Sequence, residues 1–565
     1  MRGISVTPLP FSYTTECNMS RCSNVTFLVV AFSTTLAWAQ QTAIDEYVNQ
    51  PDNTYEWKIV GEKDHGDVTS VVVELTSQTW LTEKEVDRPL WKHWLRIAVP
   101  KQIKADASLL MITGGSNDSE PPSDADESTR QIAQATGTIT AELKMVPNQA
   151  LVFHGDGVRR KEDDLIGYTW DQYLKTGEAR WLARNAMVKS AVRAMDTIEA
   201  FAKQKTDTEV KRFVVAGASK RGWTTWLTGA MDDRVVAIVP IVIDVLNVDI
   251  SMRHHFAAYG YWAPAVGNYV QHGIMQRLNH PRLKELYNLV DPHAYRHRLD
   301  MPKLMLNAAG DQFFLPDSSR FYFDDLPGEK HLRYVANTDH SMDGSDALQT
   351  LTAFYFAIAH NVQRPDYTWS VVEGKLRVES RTQPKQVVLW TAQNPETRDF
   401  RLETLGPEYK STALKEVGDG IYEAPLMTPD QGWAAQFVEL TYDIGAPVPL
   451  KLTTSVYVLP DELPYKDRAP DEAPSVTIKV VTKDTGVAKQ LLPQAVALME
   501  AKLKVSDVDT LADDGTFYIN WLPREFRSEA GAVIGWLEEQ SGITNLSVQL
   551  ESGRHITATV VTPVP

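Results

Sequence analysis

The chain has 565 residues, of which 43% are hydrophobic and 23% are charged. These proportions are typical of a soluble globular protein, so they exclude a disordered chain, a collagen-like repeat and a disulfide-stapled miniprotein. At roughly 100–200 residues per domain, the length predicts three to five units. The chain carries 57 basic and 73 acidic residues, a net charge of −16. Because an acidic surface repels phosphate backbones, we expect no nucleic acid among the partners.

The N-terminus has the pattern of a secretory signal peptide. Arg21 precedes an apolar run over residues 25–38, which leads into an A-W-A motif ending at Ala39. This pattern predicts cleavage after Ala39 and a secreted or periplasmic protein, from either Met1 or Met19 as the true start. The run is short for a bilayer span and no later stretch is longer, so we expect no membrane span. The alternative is a short N-terminal anchor.

Cleavage after Ala39 also removes both cysteines of the chain, Cys17 and Cys22. An exported protein without cysteine has no disulfide, no thiolate nucleophile and no zinc–thiolate site. Stability must then come from large hydrophobic cores, for which the chain is long enough.

Hydrophobic patterns predict an α/β catalytic domain over residues 43–365. In chain order we expect β-type alternation over 55–100, strand 108–113, helix 128–143, strand 149–153, an insertion over 155–180, helix 181–203, strand 212–215 followed by a helix, strand 235–243, a Tyr- and His-rich stretch over 250–299, strand 303–307, helix 318–325, strand 332–336 and helix 347–360. Strands that alternate with helices predict a doubly wound, mostly parallel α/β sheet.

The pattern changes after Pro365. Short alternating runs with turn residues between them predict a β-sandwich-like domain over residues 366–460. Residues 461–474 are rich in proline and charge, as is typical of a linker. Residues 475–565 carry strands SVTIKVV and HITATVV around a helix over 489–503, and they predict a small α+β domain of unknown role.

The strongest chemical signal is the segment GASKRG, with Ser219 at its third position. A serine with small neighbours, between a buried strand and a helix, is typical of a nucleophile elbow, where the helix N-terminus directs N–H groups towards the serine oxygen. The spacing is G-x-S-x-x-G rather than the commoner G-x-S-x-G. The alternative is therefore a tight strand–helix turn without chemistry, but the strand and helix on either side favour the nucleophile.

A nucleophilic serine needs a base that is itself oriented by an acid. Asp311 ends one predicted strand and His340 follows the next, in the chain order Ser, acid, His that this kind of sheet uses. Taken separately, Asp311 fits a strand-end turn and His340 a solvated loop. Taken together, they favour a catalytic triad, with Asp244 and its near neighbour Asp249 as the rival acids.

Acyl transfer also needs N–H donors for the developing oxyanion. We expect the backbone N–H of Lys220 to be one donor, and Gly115 and Ser116, after the strand SLLMIT, to supply the other. The alternative is that the two glycines of this loop only turn the chain. Arg221 is either a group that binds an anionic substrate or a solvated residue of the first helical turn.

The adjacent His254 and His255 lie in an aromatic stretch. Neighbouring side chains point to opposite sides of a helix or strand, and no metal-ligand spacing accompanies them, so we predict no metal site and no cofactor. The stretch 250–299 is expected either to form a lid over a substrate pocket or to pack on the core as ordinary helices.

Several segments resemble the family of PhoPQ-activated pathogenicity-related proteins, which is similar to the autocrine proliferation repressor proteins of slime moulds. They are GASKRGWTTWLTGAMDDRVVAIVPIVIDVLN, WKHWLRIAVP, LLMITGGSN, AAGDQFF and NTDHS, and the resemblance covers residues 43–460. It implies export, an α/β-hydrolase-like catalytic domain and a β-rich domain after it. It also implies that Ser219, Asp311 and His340 are nucleophile, acid and base. It implies no substrate, and it leaves residues 475–565 unexplained.

The sequence therefore predicts an exported serine hydrolase that acts on a small-molecule ester or a peptide through an acyl-enzyme. It does not decide between the ester and the peptide bond, nor does it indicate an oligomeric state. A lid-gated lipase is a weaker option. The alternative from another class is a secreted binding or signalling protein on a hydrolase scaffold, without turnover.

Overall fold

The computed structural model describes residues 41–468, 475–499, 501, 509–513, 515–521, 526–552 and 555–561. The expected signal peptide and its cleavage position lie outside these residues. None of the helices described here is both long and apolar enough to cross a membrane.

A sheet of 14 strands organises most of the chain. Its first nine strands are β1 (Glu56–Asp64), β2 (Val68–Thr79), β3 (Leu90–Pro100), β4 (Ala107–Ile112), β5 (Thr140–Leu143), β6 (Arg212–Ala218), β7 (Val235–Ile241), β8 (Lys303–Ala308) and β9 (Lys330–Val335). In space they follow the order β1-β2-β3-β5-β4-β6-β7-β8-β9. The last six in this order run parallel, whereas β1, β2 and β3 run antiparallel to their neighbours.

Helices cover both faces of the parallel strands. They are α1 (Ala43–Asn49), α2 (Glu127–Thr136), α3 (Glu162–Thr176), α4 (Ala183–Thr206), α5 (Lys220–Met231), α6 (Val248–Tyr259), α7 (Gly267–Gln271), α8 (Pro281–Val290) and α9 (Ala347–Ala359). Val214 of β6 lies in a hydrophobic cluster with Leu351 of α9, whereas its neighbour Val215 lies in another with Trp226 of α5. Successive residues of a strand face opposite sides. The sheet is thus doubly wound.

Over residues 366–460 the chain forms strands, apart from the short helix α10 (Leu402–Leu405). They are β10 (Tyr367–Val372), β11 (Lys375–Ser380), β12 (Gln386–Asn394), β13 (Lys410–Ala413), β14 (Glu416–Gly418), β15 (Ile421–Pro425), β16 (Trp433–Tyr442), β17 (Leu450–Thr453) and β18 (Tyr457–Leu459). β10, β11, β15 and β14 form a separate antiparallel sheet. It packs on the other strands as a sandwich, where Val378 and Leu440 share one core.

The other five of these strands continue the large sheet, because β17 pairs antiparallel with β9 at Thr453 and Leu332. A buried ion pair between Arg333 of β9 and Glu439 of β16 crosses the same junction. The boundary predicted between residues 365 and 366 therefore separates two parts that share one sheet.

The C-terminal residues form a five-stranded antiparallel sheet with two helices. Its elements are β19 (Ser475–Thr482), α11 (Thr485–Leu498), β20 (Asp509–Asp513), β21 (Thr516–Trp521), α12 (Phe526–Glu538), β22 (Ile543–Ser552) and β23 (His555–Val561). Ile478, Ala495 and Leu537 belong to a hydrophobic cluster of its own. The predicted fold class is confirmed: an α/β-hydrolase-like sheet, followed by a β-sandwich-like part and a small α+β unit.

Three predicted elements are wrong in detail. The helix expected over 318–325 is a single 3₁₀ turn, Ser318–Phe321. The helix expected over 128–143 ends at Thr136, because Gly137 takes a left-handed conformation with φ 65°, and the chain then enters β5. The strand expected over 149–153 is irregular and makes only two isolated bridges, one of which joins Leu151 to Arg160. The supposed insertion over 155–180 contains α3.

Candidate active site

Ser219 lies at the turn between β6 and α5. Its backbone has φ 58° and ψ −125°, a conformation that a residue with a Cβ adopts only at an energetic cost. Its N–H donates to the carbonyl of Ile241 at 2.8 Å, and its own carbonyl accepts the N–H of Trp223 at 3.0 Å. A strained serine held between a parallel strand and a helix N-terminus has the geometry of a nucleophile elbow.

Gly217 and Gly222 allow this elbow to close. A Cβ atom at Gly217 would stand 2.8 Å from the carbonyl oxygen of Arg221. A Cβ atom at Gly222 would stand 2.9 Å from the carbonyl oxygens of Gly217 and Ile241. Because these neighbours are backbone atoms, they cannot move aside cheaply. The unusual G-x-S-x-x-G spacing thus has a steric reason.

His340 and Asp311 form a hydrogen-bonded pair in the loops after β9 and β8. Nδ1 of His340 lies 2.8 and 3.0 Å from the two carboxylate oxygens of Asp311, which is 3% exposed. The same carboxylate accepts the N–H of Phe313 at 2.7 Å. Nε2 of His340 is buried and has no hydrogen-bond partner among the described residues. Since Nδ1 is held by the acid, Nε2 is the nitrogen left for proton transfer.

The rival acids are bound elsewhere. The two carboxylate oxygens of Asp244 accept the hydroxyls of Tyr322 and Tyr334, each at 2.5 Å. Burial raises the pKa of Asp244 to about 7, although both tyrosines act to lower it. Asp249 is bonded to Arg253 at 3.0 Å. Asp311 is thus the one of the three expected acids that the structure joins to His340.

A pocket of about 50 Å³ adjoins Ser219. Phe313 and Phe314 line it and connect it to the base, because the Phe313 ring centroid lies 4.3 Å from that of the His340 imidazole. The stretch 250–299 supplies five lining residues: Met252, Val266, Tyr269, Met275 and Tyr287. This stretch forms part of the pocket wall and also packs on the core, where Met252 and Val266 belong to its hydrophobic cluster. The choice between lid and core helices stays a prediction.

Charged side chains surround the first turn of α5. Nζ of Lys220 lies 2.8 Å from Glu162 and 3.0 Å from Asp163, and the Lys220 side chain is 6% exposed. The guanidinium of Arg221 donates to both carboxylate oxygens of Glu162, at 2.6 and 2.8 Å. Burial would raise the pKa of Glu162, but Lys220 and Arg221 outweigh it and hold that pKa well below its ordinary value. Arg221 is therefore a paired residue, not a solvated one.

The loop with Gly115 and Ser116 lies beside this charged cluster. The Gln149 side chain donates to the carbonyl of Gly115 at 3.1 Å and accepts the N–H of Glu162 at 2.7 Å. Lys220 lines the pocket, but neither Gly115 nor Ser116 is among its lining residues. The structure thus connects the loop to the elbow through Gln149 and Glu162, and the loop's oxyanion donor stays a prediction.

The adjacent histidines have separate partners. Nε2 of His254 lies 3.1 Å from Asp317, whereas Nε2 of His255 accepts the N–H of Ala263 at 3.1 Å. Burial lowers the pKa of His255 to about 3. Within the described ranges, no group of three or more His, Cys, Asp or Glu side chains is placed to hold a metal ion.

Sequence reasoning missed Glu162, the two phenylalanines and Arg184 of α4, which also lines the pocket. Glu162 and Arg184 lie 57 and 35 residues before Ser219, and no local pattern marks them. Phe313 and Phe314 do carry a signal, because two apolar residues closely follow the expected acid in a strand-end loop.

Two solved structures to which the chain is similar at low identity are esterases. An acetyl xylan esterase from Paenibacillus sp. R4 matches 56% of this chain and 92% of its own, at 14% identity and a TM-score of 0.39. A glucuronoyl esterase from Solibacter usitatus matches 55% of this chain and 86% of its own, at 14% identity and a TM-score of 0.32.

Sequence comparison gives a much nearer relative. Autocrine proliferation repressor protein A of Dictyostelium discoideum is 38% identical over 468 residues, a match that covers 78% of this chain and 94% of that protein. The sequence profile of the PhoPQ-activated pathogenicity-related proteins matches residues 44–401. On both grounds, the chain belongs to the family of PhoPQ-activated pathogenicity-related proteins.

Proposed function

We propose that the protein is an exported serine hydrolase that cleaves a carboxylic ester or a peptide bond. One observation carries the proposal: Asp311 holds Nδ1 of His340 while the buried Nε2 stays free of partners among the described residues. Ser219 lies on a strained elbow and lines a pocket whose phenylalanines contact His340. Export is proposed from the signal-peptide pattern of residues 1–39.

In this proposal, Nε2 of His340 removes the proton from the Ser219 hydroxyl as the oxygen attacks the substrate carbonyl. The Asp311 carboxylate stabilises the imidazolium that forms and keeps the ring oriented. The imidazolium then returns the proton to the leaving alcohol or amine. Water, deprotonated by the same nitrogen, hydrolyses the acyl-enzyme and restores Ser219.

The negative charge on the attacked carbonyl oxygen needs donors that are already in place. The backbone N–H of Lys220 lies at the start of α5, where no preceding turn of the helix can accept it. The ion pairs of the Lys220 side chain with Glu162 and Asp163 keep this residue fixed. The second donor is proposed to come from Gly115 or Ser116.

A fluorophosphonate probe tests the proposal, because it phosphonylates only an activated serine. We expect a single adduct on Ser219 by intact mass and peptide mapping, and no adduct in Ser219→Ala or His340→Ala. Asp311→Asn should label roughly 10³–10⁴-fold more slowly, since an amide cannot stabilise the imidazolium and can hold the ring in the wrong tautomer. Asp244→Asn is the matched control, because it also removes a buried carboxylate at a strand end, but one that does not touch His340. Ser219 of this variant should still be labelled.

Absence of an adduct on the folded wild-type protein would rule out an activated serine. Equal slowing in Asp311→Asn and Asp244→Asn would show that Asp311 has no special role as the acid. An ester and peptide substrate panel then decides which bond is cleaved.

A second candidate function is a secreted signal on a hydrolase scaffold. The observation that favours it is the relative at 38% identity, whose name describes autocrine repression of proliferation. The two candidates differ in the labelling experiment, because a signal without turnover needs no reactive serine.

A further inference from the structure

Arg184, in α4, is a buried cation in the pocket beside Ser219. It lines this pocket and is 2% exposed. Its Nη1 donates to the backbone carbonyl of Lys220 at 3.4 Å, and its Nε is buried without a hydrogen-bond partner in the described part of the chain. Among the residues that the structure describes, no carboxylate forms an ion pair with it.

Aromatic rings hold the guanidinium in place. Its central carbon lies 3.9 Å from the ring centroid of Trp223 and 5.8 Å from that of Trp170. Such contacts stabilise a cation, but they do not satisfy its hydrogen-bonding edge. Burial lowers the pKa of Arg184, and Tyr269, whose hydroxyl also accepts a hydrogen bond from the guanidinium, offsets part of that effect together with Asp163 and Asp291. Nε is the edge atom that stays without a partner in the described part of the chain.

The nearest acidic groups are already occupied. Asp163 accepts the hydroxyl of Tyr269 at 3.0 Å and pairs with Lys220 at 3.0 Å. Glu162 pairs with Lys220 and Arg221. Asp291, a third carboxylate near Arg184, accepts the backbone N–H groups of Val248 and His293 and forms no ion pair with the guanidinium among the described residues. Arg184 is thus a buried cation without a directly paired carboxylate. A buried charge of this kind is costly unless a partner neutralises it.

The size of the pocket limits what that partner can be. About 50 Å³ of the pocket is open to the centre of a water-sized sphere, so a short, narrow group fits more readily than a bulky one. A carboxylate with one or two methylene groups is such a group.

We infer that this pocket receives a carboxylate on a short acyl chain, and that Arg184 is the residue that selects it. The inference rests on the proposed function, in which Ser219 attacks the acyl carbonyl at the mouth of the pocket. The substrate class is an ester or amide of a short dicarboxylic acid, such as a succinyl group attached through one end.

A pair of chromogenic esters of equal size tests the inference on the unmodified enzyme. The p-nitrophenyl hemisuccinate carries the carboxylate, and p-nitrophenyl 4-oxopentanoate replaces it with a neutral methyl ketone. After subtraction of spontaneous hydrolysis, we expect kcat/KM to favour the hemisuccinate by roughly tenfold or more, because a charge-assisted hydrogen bond forms only with the carboxylate. A ratio of one or less, with Ser219 still labelled by the fluorophosphonate, would overturn the inference and leave the hydrolase intact.

Arg184→Met should reduce this ratio to about one or below. Arg193→Met is the matched control, because Arg193 is in the same helix and lies over the Tyr55 ring, but it does not line the pocket. Its ratio should stay at the wild-type value. An unchanged ratio in a folded Arg184→Met variant would contradict the role given to Arg184.

Binding without turnover separates this inference from the proposed function. Monomethyl succinate should raise the Tm of Ser219→Ala, which cannot hydrolyse it, and methyl 4-oxopentanoate should not. If Ser219 fails to label but the succinate shift is present, the hydrolase proposal fails and the carboxylate pocket stands. If neither ester preference nor the succinate shift is seen, the carboxylate pocket is wrong, whether or not Arg184→Met folds.

Discussion

Two buried carboxylates, Asp244 and Asp311, follow adjacent parallel strands and differ in their partners. Asp311 accepts the imidazole of His340 and a backbone N–H, so its charge is solvated by the protein. Asp244 accepts two tyrosine hydroxyls, and Asp311 and Asp317 raise its pKa further by repulsion. The same residue type at equivalent strand ends thus has two different sets of partners, and burial raises the pKa of Asp244.

The pKa of Asp244 predicts a pH-dependent contribution to stability. Its pKa is about 7 in the folded state, against an ordinary value of 3.8 for an aspartate in an unfolded chain. Between these two pH values the folded protein binds one more proton than the unfolded chain. The stabilisation that this proton gives to the folded state is therefore complete below pH 4 and is lost as the pH rises to about 7. Asp244→Asn keeps the shape and cannot ionise. The difference in unfolding free energy, variant minus wild type, should therefore rise between pH 4 and pH 7, by up to about 4 kcal/mol.

Urea unfolding of both proteins at pH 4, 5.5 and 7 measures this difference. Parallel pH profiles for wild type and Asp244→Asn would show that Asp244 has the same protonation in both states.

At the scale of secondary-structure elements, Glu162 at the start of α3 joins three segments. Its carboxylate pairs with Lys220 and Arg221 in α5, and its N–H donates to Gln149, which in turn donates to Gly115 in the loop after β4. The elbow helix and the proposed oxyanion loop are thus positioned by one helix start.

Glu162→Gln should loosen this junction. Two buried cations lose their shared counter-ion, but the carboxylate is 40% exposed, so we expect a loss of only about 1–2 kcal/mol in unfolding free energy. Labelling of Ser219 should slow as well, because α5 is less well fixed. Asp164→Asn is the control, since Asp164 in the same helix pairs with His272 instead. If it slowed labelling as much as Glu162→Gln, the effect would belong to α3 as a whole.

Local sequence patterns predicted the strands and helices on which the candidate site residues lie. The partners of these residues come from contacts between distant parts of the chain, which local patterns do not predict. β6, the elbow and α5 are adjacent in sequence, so small residues and periodicity were enough to place Ser219. The order of strands also placed Asp311 and His340 at one sheet edge. The contacts of Asp244 with Tyr322 and Tyr334 span 78 and 90 residues, and no local pattern encodes them. The helix expected over 128–143 failed because apolar periodicity continued past Gly137 into a strand.

At the scale of the whole molecule, the β-sandwich-like part is needed to complete the large sheet. A chain that ends at residue 365 would leave β9 as an open edge and Arg333 without Glu439. We expect it to aggregate. A chain that ends at residue 468 removes only the C-terminal sheet, which has its own core, and should still label at Ser219.

Size-exclusion chromatography and labelling of the two truncated chains measure this contrast. A monomeric, labelled chain ending at residue 365 would show that the α/β part is complete without β17.

The pairing of β17 with β9 also sets a time for folding during synthesis. Leu332 and Thr453, which pair across this junction, are about 120 residues apart in the chain. At about 5–20 residues per second, a ribosome needs roughly 6–24 s to pass from one to the other. During that time β9, which precedes the His340 loop, lacks its neighbour β17. A chain released or stalled after His340 but before Thr453 carries every residue of the proposed triad and an unfinished sheet.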